Sequence, residues 1–337
     1  MPKKKNEVKK GFSKTNLARQ YRDKFGMSVA TSALARIIHS ENKLVFSNPE
    51  EARSYLRAIE GKNGKTCKVI PTHAIANRPM NPYKLPESDE RDWQPYKLEG
   101  SQKIGILSDV HVPYHSITAV TAALDHFVKI GIDCLLLNGD TIDFYQLSKF
   151  EKDPRKRGFS GELDTLGEFL NTLKDILKCR IIYKFGNHDE RYDNFLLRKA
   201  PELFGLSDIK LETLINNRVE GIEYVNDKRI IQANALDIIH GHEFGQGFFS
   251  PVNVARGLSL RAKTNAVQGH NHQTSEHTET NLRGEIKTTW SIACSCELHP
   301  EFLPINKWNH GFADLFLDSN GTDFTFKNYR VSKGRVL

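Results

Sequence analysis

Apolar positions recur at two different periods along this chain, and the change of period divides it. Leu17, Tyr21 and Phe25 stand at i, i+4 and i+8, which predicts a helix ending at Gly26. Val29, Leu34, Ile37 and Ile38 give a second apolar stripe, ringed by Thr31, Ser32, Arg36 and His39. A third helix is expected from Ser47-Asn48-Pro49-Glu50, where Ser47 and Glu50 have capping-box spacing and proline suits the first turn. Ala52, Tyr55, Leu56 and Ile59 are its apolar face, and Gly61 to Lys65 ends it. The periodicity then lapses. Pro71, Pro79, Pro82, Pro86 and Pro95 fall in polar surroundings, so 61–100 reads as a linker holding the domain boundary.

Beyond Gly100 short continuous apolar runs alternate with amphipathic stretches. Ile104–Leu107, Cys134–Leu137 and Ile181–Phe185 are predicted strands. Between them, Val120, Ala123, Leu124, Phe127 and Val128 line one helix, and Leu166, Phe169, Leu170, Leu173, Ile176 and Leu177 another. Strands of this kind belong to a largely parallel sheet covered on both faces. After Arg218 short strands dominate, at Ile222–Val225, Arg229–Ile231, Leu236–Ile239, Ala266–Gln268, Lys287–Ile292 and Ala313–Leu317, which predicts a second, more antiparallel sheet. The reading is an α/β chain of three parts: a small helical module over 1–60, the linker, and a large domain over 101–337.

Composition narrows this little. With 39% hydrophobic and 26% charged residues the 337-residue chain is of ordinary globular type. No apolar run approaches the ~20 residues of a bilayer-spanning helix. The lysine-rich start lacks the apolar stretch of a secretion signal, so a cytoplasmic protein is expected, with no membrane partner. Five scattered cysteines, only Cys294 and Cys296 close together, read as reduced and mostly buried thiols.

Charge adds an anionic partner to the picture. The net charge is +7, and Lys3, Lys4, Lys5, Lys9, Lys10, Lys14 and Arg19 crowd the first twenty residues against Glu7 alone. Such an arm is either solvated or laid on a phosphate backbone. The first two helices and their Gly-containing turn resemble a helix-turn-helix module, while a plain helical hairpin fits the same pattern equally well.

The chemistry lies at the strand ends. Asp109-Val110-His111, Gly139-Asp140-Thr141-Ile142-Asp143, Gly186-Asn187-His188-Asp189, His240-Gly241-His242 and Gly269-His270-Asn271-His272 each follow an apolar run. In α/β sheets ligands gather beyond the carboxyl ends of the strands. Mixed carboxylate, amide and imidazole donors suit Mn, Fe, Zn or Ni better than magnesium or calcium. Each cluster alone is an ordinary turn; five at one sheet edge would leave buried titratable groups without partners unless they bind something.

Taken together, Asp-x-His, Gly-Asp-x-x-Asp, Gly-Asn-His-Asp, His-Gly and Gly-His-x-His resemble the calcineurin-like metallophosphoesterase superfamily over Lys103 to His272. Longer stretches, among them Lys152-Asp153-Pro154-Arg155, His240-Gly241-His242-Glu243-Phe244-Gly245 and Ile305-Asn306-Lys307-Trp308-Asn309-His310-Gly311, resemble a subgroup often encoded by bacteriophages, for which the compartment would be the host cytoplasm. The resemblance implies a metallophosphoesterase-like β-sandwich flanked by helices in αββα order. It further implies two divalent ions, manganese first among the candidates. Asp109, His111 and His272 would hold one ion, Asn187, His240 and His270 the other, and Asp140 both. His188 would face the phosphate with Asp189 orienting its ring, and Arg191 and His242 would contact substrate. Between His240 and His242, the former directly ends its strand. Asp143 is expected to orient a ligand, Trp308 to pack under the C-terminal strands, and Lys149, Lys152, Arg155, Lys156 and Arg157 to draw in a polyanion or simply face solvent.

The function this implies is hydrolysis of phosphate esters at a two-metal centre, with phosphodiesters, and DNA or RNA, as the first substrates. The alternatives are a phosphomonoesterase, or a nucleic-acid-binding or scaffold protein that has kept the fold without catalysis.

Overall fold

The computed structural model describes residues 13–27, 29–60, 86, 93–153, 155–156, 158–245 and 252–337. Most of the basic arm, most of the proline-rich linker, Pro154 and Arg157 lie outside them. The chain forms two compact units, Met1–Trp93 and Gln94–Leu337.

The first unit contains α1 (Lys14–Phe25), α2 (Thr31–Glu41) and α3 (Pro49–Ile59). Leu17, Ala18, Leu34, Ala35, Ile38, Phe46, Ala52 and Leu56 form one buried core, so the three predicted helices pack as a single unit. Buried Arg22 locks it: its guanidinium donates to the carbonyls of Gly26 and Val29 in the α1–α2 turn and pairs with Glu60 at the end of α3. The cap of α3 departs from expectation. Asn48, not Ser47, accepts the N–H of Glu51 at 2.8 Å, and the Glu51 carboxylate, not Glu50, returns to the N–H and hydroxyl of Ser47. Asparagine is as good a cap as serine, so the local preference is met one residue later.

The second unit begins with β1 (Tyr96–Lys97), inside the stretch read as linker; it pairs with a later strand because its extended backbone can complete a sheet edge. Then come β2 (Lys103–Leu107), α4 (Ile117–Ile130), β3 (Cys134–Asn138), α5 (Phe159–Leu177), β4 (Arg180–Lys184), α6 (Arg191–Lys199), α7 (Leu211–Asn216) and β5 (Ile222–Val225). The remainder is β6 (Ile231–Ala233), β7 (Leu236–Ile238), α8 (Val254–Ala262), β8 (Ala266–Gln268), β9 (Ser275–Thr280), β10 (Ile286–Ser291), β11 (His310–Leu317), β12 (Phe324–Ser332) and β13 (Arg335–Val336).

Two sheets result. One runs β13-β12-β11-β2-β3-β4-β5, the other β1-β6-β7-β8-β10-β9. Strands β2 to β4 are parallel, as their apolar runs predict, and β5, expected in the second sheet, instead extends the first in parallel. The late antiparallel strands are placed differently from the prediction. Strand β11 joins β2 antiparallel and carries β12 and β13 with it, whereas the second sheet is mixed. Ile104, Ile106, Leu136, Ile182 and Leu315 face Ile231, Leu236, Ile238 and Val267 to make the core between the sheets. On the other face of the first sheet, Leu135, Leu137 and Ile181 pack with Phe127, Leu166 and Leu170 of the helical layer. Leu258 of α8 covers Ile239 and Ala266 on the second sheet. That is an αββα sandwich. Leu136 has no exposed surface, so truncation to alanine would cost about 2–5 kcal/mol through lost burial and the cavity left behind. Among the described residues no helix is long and apolar enough to cross a membrane.

Candidate metal centre

The five polar clusters sit at the carboxyl ends of β2, β3, β4, β7 and β8, so both sheets contribute to one rim. Backbone bonds splice the loops together. Asp109 N–H donates to Gly139 O at 3.1 Å, His111 N–H to Asp140 O at 2.9 Å, and Gly269 N–H to His240 O at 2.8 Å. Asp109, His111, Asp140, His270 and His272 all have left-handed backbone, with φ between 49° and 67°. That conformation is disfavoured for residues with a Cβ, and its concentration here marks a site whose geometry overrides local preference. Gly186 is required by contact: a Cβ there would lie 2.2 Å from Asp140 Oδ1.

Asp140 occupies the middle. Its Oδ2 is 3.3 Å from His240 Nε2, 3.8 Å from His111 Nε2 and 4.0 Å from His188 Nε2. Its Oδ1 accepts the His188 N–H at 2.8 Å. On one side, His272 Nε2 is 3.1 Å from Asp109 Oδ1. On the other, single donor atoms of Asp140, His240 and His270 lie within 4.8 Å of one another. Tautomers follow from the partners. His240 Nδ1 is 2.8 Å from the carbonyl of Asn138, which can only accept, so Nδ1 carries a proton and Nε2 faces Asp140.

Four buried atoms identify what the cluster fits. Asp109 Oδ1, His111 Nε2, Asn187 Oδ1 and His240 Nε2 have no hydrogen-bond partner among the described residues. Unsatisfied buried polar atoms are costly unless something is meant to meet them. All four are ordinary donors to a divalent ion, and they flank Asp140 on both sides. Electrostatics agree. Burial alone would neutralise Asp109 and Asp140, yet neighbouring imidazoles, His272 for the first and His240 for the second, hold both carboxyls below the ordinary range. Against its own burial, His240 is lifted to about 10 by Asp140, and His272 to about 10 by Asp109. The centre therefore favours positive charge, which is what a divalent ion supplies.

Several expected roles change. Asp189 does not touch the His188 ring. Its carboxylate accepts from Tyr183 Oη (2.6 Å), Gly186 N (2.7 Å) and Asp140 N (2.8 Å), which braces the loop beneath Asp140. Its pKa is raised to about 6, by burial and then by the Asp140 charge. The ring of His188 is held instead by Asp143, whose Oδ1 also meets His111 Nδ1. Arg191 reaches Asp143 O at 2.8 Å and His188 Nε2 at 2.9 Å, so it stands beside the cluster. His242 turns away onto Glu190, with Nε2 to Oε1 at 3.0 Å, because the carboxylate offers a partner that the crowded centre does not. Trp308 lies half-buried with its ring centroid 4.0 Å from that of His272, rather than under the C-terminal strands. Arg155 is paired with Asp153 and Lys156 with Glu301, so these two cations of the basic loop already have acidic partners.

Sequence reading gave no role to Lys184 or Glu243 and took Cys296 as a buried thiol. Lys184, with no exposed side chain, pairs with Glu243 at 2.9 Å. That pairing outweighs burial and holds the Glu243 carboxyl down at about 2. Glu243 in turn accepts the N–H groups of His240 and Gly241, fixing the His240 loop. A lysine ending the run Ile181-Ile182-Tyr183 was the available signal. Cys296 brings its sulfur within 3.8 Å of His272 Nδ1.

A family model described as calcineurin-like phosphoesterase matches residues 102–294, which contain every one of these clusters. The chain belongs to the calcineurin-like phosphoesterase family. Its members are metal-dependent hydrolases of phosphate esters, in keeping with a donor set able to hold divalent ions. No curated protein matches the chain. Among solved structures, Vacuolar Protein Sorting 29 from Cryptosporidium parvum is similar at 13% identity, covering 70% of this chain and 95% of its own, with a TM-score of 0.39. A dimetal phosphatase from Danio rerio is 12% identical over 70% of this chain and 98% of its own, with a TM-score of 0.37. The phosphoesterase Yfce from E. coli is 14% identical over 63% and 87%, with a TM-score of 0.34.

Proposed function

We propose that this calcineurin-like phosphoesterase cleaves phosphodiesters at a pair of divalent transition-metal ions, with nucleic acid as substrate class. The observation that carries the reading is the set of four unpartnered buried donors distributed about Asp140. Asp109, His111 and His272 would hold one ion, Asn187, His240 and His270 the other, and Asp140 would contribute to both. Two such ions supply charge neutralisation at phosphorus and an activated water for in-line attack.

The protein supplies the rest. Arg191 binds a non-bridging phosphate oxygen, and in doing so withdraws from His188 Nε2, where its guanidinium now rests at 2.9 Å. That nitrogen is then open to take up a proton from solvent and deliver it to the departing oxygen. Asp143 holds Nδ1 of the same ring and balances the imidazolium charge. Asp189 acts through the backbone of Asp140 rather than on substrate.

A nucleic acid is favoured by three features. The chain carries a net charge of +7. The half-buried Trp308 ring beside His272, with Phe302 at 6.4 Å, offers a base a stacking face next to the scissile phosphate. The three-helix unit presents Arg19, Lys24 and Arg36 on its outer faces, suited to backbone phosphates. The test is a panel of single- and double-stranded DNA and RNA, bis(p-nitrophenyl) phosphate and its monoester, each with added manganese, zinc or iron(II). Expected are diester cleavage above monoester cleavage, close to two ions per chain, and loss of both ions and activity in Asp140→Asn. Hydrolysis undiminished in that variant would sink the mechanism, and monoester preference would overturn the substrate assignment.

A further inference from the structure

The Cys296 thiol is buried, 3% exposed, in the loop that follows β10. Its position is fixed from three directions. Ser295 N–H donates to the carbonyls of Ser108 and Asp109, tying the loop to the first metal-binding segment. His310 Nε2 donates to the Cys296 carbonyl at 2.8 Å, and Cys296 forms a bridge with His115. The sulfur so placed lies 3.8 Å from His272 Nδ1. One donor atom each from Cys296, His272 and His111 all lie within 4.8 Å of one another.

We infer that Cys296 is a sulfur ligand to the ion on the His111–His272 side of the centre, an assignment that rests on the two-ion reading above. The distances carry it. One donor atom each of Cys296, His111 and His272 stands within 4.8 Å of the other two, close enough for a single ion to meet all three. The thiol loses its proton to solvent as the sulfur binds, with no change of oxidation state.

The chemical consequence is an unequal pair of sites. Asn187, His240, His270 and Asp140 offer only oxygen and nitrogen. The other half, with sulfur added, favours zinc, iron(II) or cobalt(II) over manganese. The family resemblance alone points to manganese first; the cysteine argues for a softer ion in one position.

Cobalt(II) reconstitution of the full chain provides the test. The parent protein loaded with two cobalt ions should show the near-ultraviolet sulfur-to-cobalt charge-transfer band. Cys296→Ser should lose that band and at least tenfold of its preference for cobalt over manganese, whereas Cys294→Ser should keep both. A loaded parent without the band overturns the inference and leaves the metal centre standing. So does a band that persists in Cys296→Ser, or one that disappears only in Cys294→Ser. Failure of the parent to take up cobalt at all overturns the two-ion reading together with it. The parent spectrum decides even if the serine variant does not fold.

Discussion

Asp143 Oδ1 lies 3.0 Å from Nδ1 of His188. The same oxygen is 2.9 Å from Nδ1 of His111, so one carboxylate orients two imidazoles whose other nitrogens face Asp140. An amide in its place loses the negative charge that both rings share at that oxygen. Asp143→Asn is therefore expected to lower activity or metal affinity by about 10–100-fold. Steady-state kinetics alongside metal titration would measure it.

Asp189→Asn should behave differently, because Asp189 supports the loop without touching the His188 ring. Losing a carboxylate that accepts from two backbone N–H groups and a buried tyrosine hydroxyl is expected to cost about 2 kcal/mol or more. The expected signature is a lower denaturant midpoint. If stability is unchanged while kcat collapses, the assignment of Asp189 as a structural brace is wrong.

Glu162 gives a pH prediction. It is fully buried, receives the Tyr145 N–H at 3.1 Å, and its pKa is raised to about 8 by burial and then by the nearby Asp143 charge. The folded value exceeds the ordinary 4.5, so the native state holds a proton that the unfolded chain has released between those limits. Its contribution is fully present below about pH 4.5 and is lost as pH rises toward about 8, with a slope of about 1.4 kcal/mol per unit. Glu162→Gln should remove that slope from a series of denaturant melts over this interval. A variant as pH-sensitive as the parent would refute the claim.

Gly186 tests how closely the scaffold approaches the Asp140 carboxylate. A methyl group there meets Asp140 Oδ1 at 2.2 Å and Asp140 N at 2.4 Å, both held by other bonds. Gly186→Ala is expected to lose about 1–3 kcal/mol of stability and to bind fewer than two ions. Elemental analysis and a melting curve together check this.

Stripping metal should expose the cost of the unpartnered donors. At an ion concentration one hundred times the dissociation constant, each bound ion adds about 2.7 kcal/mol to stability. A chelator-treated sample should accordingly melt lower and recover on re-addition of the ion. Identical melting with and without chelator would count against the centre.

The sequence carried the parallel strands β2 to β4 and the polar clusters at their ends, because buried strands leave continuous apolar runs and nothing else explains acids and histidines placed straight after them. It did not carry β9 or β12. Ser275–Thr280 and Phe324–Ser332 alternate polar side chains on or near sheet edges, where no second covered face demands apolar residues. Nor did it distinguish which acid serves which histidine. Asp143 and Asp189 each lie within a few positions of a metal-site residue, and only the folded loops show the first under two rings and the second under a backbone. The partner of His242 was equally hidden, since Glu190 is 52 residues away.

The left-handed backbone at Asp109, His111, Asp140, His270 and His272 sets durability against chemistry. Each such residue sacrifices about 1–2 kcal/mol relative to its preferred conformation, while glycine would lose only about 0.5–1 kcal/mol through added freedom of the unfolded chain. Stability alone would favour glycine at these positions, so an acid or imidazole at each stands at a cost to the fold. The most valuable residues of this enzyme are thus ones whose backbone would be more comfortable without them.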